Sequence, residues 1–109
     1  MSGKKTRIMY IEDKSNGLEG AARIGRVVYS KSGKSLSYKG REYIPIQGFK
    51  SNYLDVEAQS EFWISGPKKR GGDRLYGTGP VEIDEDVREE YWTKIRGKPE
   101  FSAKRNYRE

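Results

Sequence analysis

The sequence predicts a mainly β protein: a small, strongly curved antiparallel sheet or a partly open SH3-like or OB-like barrel of five or six strands, with one C-terminal α-helix. Short segments rich in Ile, Val and Tyr recur along residues 6–65, with Gly- and Ser-containing turns between them. A single later segment, residues 86–96, has apolar residues at helical spacing. The 109 residues leave room for one compact domain.

We expect this domain to span residues 6–97, between a flexible N-terminus at 1–5 and a flexible basic tail at 98–109. The chain has 13 aromatic residues and a net charge of only +6. Disorder driven by charge needs few aromatic residues and a large charge imbalance. A folded core built largely from aromatic side chains is therefore expected.

The first strand is predicted at residues 6–12, and a meander of three strands follows a loop. Tight turns at Ser32-Gly33 and Lys39-Gly40 join the strands of the meander, because Gly tolerates a positive φ. Alternate side chains along the three strands then share one apolar face. The residues on this face are Val27, Tyr29, Leu36, Tyr38 and Tyr43.

A further hairpin is predicted between residues 49 and 65. We place its turn at Ala58-Gln59, which sets Asp55 opposite Phe62. Both faces of this strand pair are apolar, which is typical of strands buried at a barrel corner or covered by a helix.

The helix is predicted at residues 86–96, where acidic residues precede basic ones in agreement with the helix dipole. Asp86 has the spacing of a capping residue, and Gly97 stands at the position that ends a helix. Trp92 lies one step off the apolar stripe, so we expect it to be half-exposed. The stripe itself consists of Val87, Tyr91 and Ile95.

Composition excludes several classes of site. The chain contains no Cys and no His, so it has no thiol nucleophile, no histidine base, and neither of the usual ligands of zinc and iron–sulfur centres. We expect no metal and no cofactor, and nothing in the sequence indicates an enzyme. The N-terminus lacks the apolar segment of a secretory signal, and no stretch approaches the about 20 apolar residues of a membrane helix. A soluble cytoplasmic protein is therefore expected.

The strongest candidate for a functional site is the loop at residues 66–74, where three successive cations precede two glycines. Such a loop can bring side chains and backbone N–H groups to phosphates. A second set of cations lies beside the meander, and aromatic side chains can stack on bases. The residues predicted to bind nucleic acid are Lys68, Lys69, Arg70, Arg74, Lys31, Lys34, Lys39, Arg41, Trp63 and Tyr76. Solvated loops and protected sheet edges explain the same cations, and a place in the core explains Trp63.

Two functions from different classes follow from this charge pattern. The first is a small basic module that contacts the phosphate backbone of RNA or DNA without catalysis. The alternative is a protein-interaction module (an adaptor, immunity or regulatory partner) that binds an acidic protein surface. A small enzyme or ligand carrier is a third and weaker hypothesis. The sequence specifies neither the partner nor the oligomeric state.

Five runs of the sequence resemble a family of short bacterial proteins of unknown function. They are RIMYIE (7–12), RIGRV (23–27), WISGPKK (63–69), DRLY (73–76) and PVEIDEDVREEYW (80–92). Members of this family are sometimes labelled 1-deoxy-D-xylulose-5-phosphate synthase. That enzyme is a large thiamine-diphosphate protein with a cofactor motif that begins Gly-Asp-Gly, whereas this chain has Gly71-Gly72-Asp73. The resemblance therefore implies neither synthase activity nor particular site residues.

Overall fold

The computed structural model describes residues 5–15, 20–48, 51–68 and 80–107. Within these ranges the chain forms eight β-strands and one helical segment near the C-terminus. The strands are β1 (Thr6–Asp13), β2 (Ala22–Tyr29), β3 (Leu36–Tyr38), β4 (Arg41–Pro45), β5 (Tyr53–Asp55), β6 (Ser60–Ser65), β7 (Val81–Ile83) and β8 (Asn106–Tyr107). The helical segment consists of a 3₁₀ turn (Glu85–Val87), an α turn, α1 (Arg88–Glu90), and a π turn (Tyr91–Ile95).

Strands β1 to β6 form a closed antiparallel barrel. Each strand from β2 to β5 pairs with the next one along the chain, and β1 pairs with both β2 and β6. The prediction of a small β-barrel with one short C-terminal helix is confirmed. The long strands β1 and β2 pair along seven consecutive positions on one edge of β1. The other edge of β1 pairs with β6, and this second pairing closes the barrel.

Side chains alternate between two cores on the two faces of the barrel wall. The inner core fills the barrel and consists of Met9, Ile11, Val27, Leu36, Tyr38, Tyr43 and Ile64, with Tyr29, Tyr53 and Phe62 packed against it. The outer core lies between the other face of β1 and β2 and the C-terminal elements. It consists of Ile8, Tyr10, Ala22, Ile24, Val81, Ile83, Val87, Tyr91, Trp92 and Tyr107.

The register of the meander is confirmed, and that of the later hairpin is wrong by two residues. Leu36 lies opposite both Tyr29 and Tyr43, as predicted. Asp55, however, lies opposite Ser60 rather than Phe62. A four-residue turn replaces the predicted two-residue turn because the Asp55 carboxylate accepts hydrogen bonds from two backbone N–H groups of the turn. An even shift keeps every side chain on the face predicted for it, and the structure decides that the face with Phe62 and Ile64 packs in the inner core.

The C-terminal part of the chain is more ordered than predicted. Trp92 is 4% exposed rather than half-exposed, because residues 98–107 fold back over it. Its indole N–H donates to the Lys104 carbonyl at 3.0 Å, and its ring packs edge-on against Phe101 and Tyr107. Residues 98–107, predicted as part of a flexible tail, instead carry a 3₁₀ turn and strand β8.

The helix begins differently from the prediction. Asp86 is exposed, and Asp84 occupies the position before the first turn. The Asp84 side chain does not cap the helix but turns into the barrel wall, where it contacts cations and a tyrosine. Gly97 has φ +66°, in agreement with its predicted place after the last turn.

Among the residues that the structure describes, no helix has the length and apolar character needed to cross a membrane.

Candidate functional site

The cations of the barrel lie at its two ends, according to the end that each strand terminus or turn reaches. One end holds the start of β1, the turn between β2 and β3, and the chain that leaves β6. We call this the basic end, defined by Lys5, Arg7, Arg26, Lys31, Lys34, Lys68 and Lys94. The opposite end, which we call the barrel mouth, holds the turns between β3 and β4 and between β5 and β6. Arg23, Lys39 and Arg41 lie at the mouth.

The basic end contains a groove of about 380 Å³ between β1, β2 and the helical segment. Its lining residues are Thr6, Arg7, Ile8, Arg26, Pro67, Glu90, Lys94 and Ile95. Three of these residues are cations and one is a carboxylate, so the groove has a positive balance. Lys68 directly follows the lining residue Pro67. The groove therefore presents positive charge from strands, helix and loop together.

Most cations of the basic end have no carboxylate partner in the part of the chain that the structure describes. Within the described ranges, Lys5, Arg7, Lys31, Lys34 and Lys94 make no ion pair, and all five are exposed. Arg26, by contrast, is paired, since its Nη2 lies 2.7 Å from Glu90 Oε1. The Tyr29 N–H donates to the Lys5 carbonyl, which places Lys5 close to the turn that carries Lys31 and Lys34.

The barrel mouth opens onto a cavity of about 780 Å³. Its walls include Ile11, Tyr38, Tyr43 and Phe62, and its rim includes Arg23, Lys39, Arg41, Asp13, Asp55, Ala58 and Glu82. The Tyr43 and Phe62 rings meet edge to face with their centroids 5.0 Å apart. The mouth thus combines an aromatic wall with a rim of both charges.

Asp84 orients the side chains on one side of the rim by accepting their hydrogen bonds. Its carboxylate is 6% exposed and accepts the Tyr38 hydroxyl at 2.5 Å and Arg23 Nε at 2.8 Å. Lys39 Nζ lies 3.6 Å from the same carboxylate. Asp84 does not itself line the cavity, whereas Arg23, Tyr38 and Lys39, which it contacts, do.

Asp55 fixes the other side of the rim. It is 2% exposed and accepts hydrogen bonds from Arg41 Nη1 at 2.8 Å and from the backbone of Glu57 and Ala58. Burial alone would raise the pKa of Asp55, but the hydrogen bond from Ala58 and the charge and hydrogen bond of Arg41 outweigh it and lower the pKa. Asp55 therefore stays ionised beneath an Arg41 side chain that is 45% exposed.

Tyr43 is a buried tyrosine that lines the cavity. It is 3% exposed and lines the cavity, yet its hydroxyl makes no hydrogen bond within the described residues. Among the described residues, Arg88 Nε is the one side-chain nitrogen or oxygen that is both excluded from solvent and without a hydrogen bond, so the Tyr43 hydroxyl is not such an atom. The Tyr43 hydroxyl is therefore not completely excluded from solvent.

The tyrosines of the inner core predict a loss of stability at high pH. Burial, followed by the hydrogen bond to Asp84 and its charge, raises the pKa of Tyr38, and burial also raises the pKa of Tyr43 and Tyr53. At about pH 10 and above, these phenols therefore ionise more readily in the unfolded chain than in the fold. The free energy of unfolding, measured in urea from about pH 8 to about pH 11, should therefore fall with pH.

Tyr38→Phe provides the matched control for this pH dependence. Without the Tyr38 phenol the decline between about pH 10 and about pH 11 should become shallower, whatever the stability of the variant at neutral pH. Equal slopes for the two proteins would contradict the assignment.

The structure separates the site residues predicted from the sequence. Lys31, Lys34 and Lys68 lie at the basic end, whereas Lys39 and Arg41 lie at the mouth, each beside a buried carboxylate. Trp63 is partly buried against the outer core, and its indole N–H donates to the Ser65 hydroxyl. Lys69, Arg70, Arg74 and Tyr76 lie outside the described residues.

Sequence reasoning missed residues at both ends of the barrel. Arg7 and Lys94 join the basic end only because the helical segment packs in the outer core beside β1 and β2, which no local pattern shows. Arg23, Asp84 and Tyr43 meet at the mouth through pairings between distant segments. One signal was present in the sequence. Arg23 is an even number of residues from Val27 and Tyr29, so its side chain lies on the same inward face of β2, which is unusual for a cation on a barrel strand.

No group of three or more acidic residues in the described ranges is placed to hold a metal ion. No protein-family model matches the chain, and neither a curated protein nor a solved structure is significantly similar to it. The resemblance to the short bacterial family, and the likeness to SH3 or OB barrels, therefore stay predictions.

Proposed function

We propose that the protein is a small nucleic-acid-binding module that contacts phosphates, without catalysis, through the basic end of its barrel. The observation that carries this proposal is the gathering of seven cations from strands, turn and helix at one end, five of which are exposed and make no ion pair with a described carboxylate. Cations without carboxylate partners keep their charge available, and phosphate binding gains from the counterions that such cations release.

The groove supports a backbone contact more than the reading of a base sequence. Arg7 and Arg26 line it from the β-strands, and Lys94 lines it from the helical segment. Lys and Arg donors on such a surface bind phosphate oxygens whatever the base. The described lining has no aromatic side chain on which a base could stack. The expected ligand is therefore an RNA or DNA backbone rather than a particular sequence.

The mouth is a weaker candidate for a polyanion. Its three cations are balanced by the three carboxylates of the rim, and the buried Asp84 adds a fourth negative charge behind them. Lys39 and Arg41, which the sequence predicts as phosphate ligands, are thus better suited to a ligand with a single charge.

The test is the binding of a fluorescein-labelled single-stranded RNA by the full chain, followed by anisotropy at increasing salt. The affinity should fall steeply between about 50 and about 200 mM salt, with about one unit of log–log slope for each neutralised phosphate. The double variant Arg7→Glu/Lys94→Glu should weaken binding by about tenfold or more and lower the slope by about one to two units. The variant Lys31→Glu/Lys34→Glu should act in the same direction.

Lys104→Glu/Arg105→Glu is the matched control, because it changes the net charge equally at exposed positions near β8, away from the groove. A control that weakens binding as much as the groove variant would mean that net charge, and not the basic end, governs it. If the RNA and a duplex DNA of equal length both fail to bind at about 50 mM salt, the proposal is wrong. A stoichiometric protein partner captured from nuclease-treated extract would then favour the acidic-protein alternative.

A further inference from the structure

We infer that the barrel mouth is a second binding site, for a small planar aromatic molecule that carries one anionic group. This inference goes beyond the proposed function and does not depend on it, because the mouth and the basic end lie at opposite ends of the barrel. It rests on the shape of the cavity, the arrangement of its charges and the Tyr43 hydroxyl.

The shape of the cavity limits the ligand to a small molecule. Its volume of about 780 Å³ lies within the range of small-molecule sites, which is about 300–1,000 Å³. The cavity is a blind cup, because the barrel below it is filled by the buried side chains of Met9, Val27, Leu36 and Ile64. A polymer cannot pass through such a cup, whereas one ring system can enter it.

The wall of the cup favours a planar ring. Tyr38, Tyr43 and Phe62 line it together with Ile11. The edge-to-face packing of Tyr43 on Phe62 fixes the two rings relative to each other. Aromatic pairs prefer offset or edge-on geometry, and a third ring can join such a pair with the same preference. Dispersion and apolar burial would therefore supply most of the affinity.

The rim favours a single negative charge. Arg23, Lys39 and Arg41 are 43%, 57% and 45% exposed, whereas the carboxylates behind them are almost completely buried. Each guanidinium uses part of its donor set on its carboxylate, and the remaining donors are available to an anion. The three cations are matched by Asp13, Asp55 and Glu82 of the lining and by Asp84 behind it, so the site has no excess of positive charge for a chain of phosphates, and one anionic group held by the exposed donors is the more favourable ligand.

The Tyr43 hydroxyl is a polar group inside the cup that has no partner among the described residues. A phenol that is 3% exposed loses hydrogen bonds to bulk water, and a ligand heteroatom can replace them. Together with the donors of the rim, it gives the site two polar contacts at different depths, which fixes the orientation of a bound ring.

The experiment uses two anions and their neutral counterparts: naphthoate with naphthamide, and adenosine monophosphate with adenosine. Calorimetry and backbone-amide NMR on the full chain should show saturable binding of at least one anion, with shifts at Lys39, Ala58 and Ser60. The neutral counterpart should bind about tenfold more weakly. Naphthoate against naphthamide tests a carboxylate as the anionic group, and adenosine monophosphate against adenosine tests a phosphate.

Ala58→Trp provides the structural test, because Ala58 is exposed on the turn and lines the cup. The new ring should fill the mouth and weaken binding by about tenfold or more, while Val56→Trp, on the same turn but outside the cavity, should not. Tyr43→Phe, which keeps the ring, should weaken binding by about threefold to tenfold.

Absence of saturable binding of both anions, or binding that Ala58→Trp and Tyr43→Phe leave unchanged, would overturn the inference. Because these variants leave the basic end unaltered, their RNA affinity should equal that of the unmodified chain. RNA binding without binding of either anion would therefore reject the mouth site and leave the proposed function standing.

Discussion

Gly25→Ala is expected to destabilise the fold by about 3 kcal/mol, an unusually large effect for the addition of one methyl group. A Cβ at this position would lie 2.4 Å from Tyr38 Cε1 and 2.6 Å from Asp84 Oδ2. Both neighbours are buried and hydrogen-bonded to each other, so neither can retreat without breaking that bond. Urea unfolding monitored by far-UV circular dichroism measures the loss.

Gly33→Asn is the control for the removal of a glycine. Gly33 has φ +76°, and a Cβ added there would meet no described heavy atom within 4 Å. Asn tolerates this backbone conformation better than most other side chains do. The cost of Gly33→Asn should stay below about 1 kcal/mol. If Gly25→Ala costs no more than this control, Tyr38 and Asp84 do not pack against β2 as described.

Trp92→Ala should cost about 3–5 kcal/mol, as is typical for the loss of a fully buried large aromatic side chain. Trp92 packs against Tyr91, Phe101 and Tyr107, so its removal should also loosen residues 98–107. The variant should therefore be cut by trypsin after Lys104 or Arg105 faster than the unmodified protein under native conditions. Urea unfolding and the rate of this cleavage are the two measurements.

Trp63→Ala is the matched control, since Trp63 is only partly buried and forms no ring pair with the described C-terminal residues. It should cost less stability than Trp92→Ala and leave the cleavage after residues 104 and 105 unchanged. Equal effects of the two substitutions would show that Trp92 has no special part in holding the C-terminal residues.

The two ends of the barrel could be predicted from the sequence to different degrees. Lys31 and Lys34 were placed correctly on one turn because a hairpin register is local. Their association with Arg7 and Lys94 depends on where the helical segment packs against the barrel, and this is decided by the outer core. The carboxylate partners of Lys39 and Arg41 depend on side-chain reach, which a strand pattern does not contain.

By itself the sequence determined the β-rich fold class, the meander register, the apolar face that the three meander strands share and the apolar stripe of the helix. These features follow from alternation, turn residues and helical spacing within short segments. Only the tertiary structure decided the closure of the barrel by β1, the folding of residues 98–107 over Trp92, and the burial of Asp84 behind the mouth. Each of these depends on contacts between segments far apart in the chain, whose free energy comes from shared burial rather than from local conformational preference.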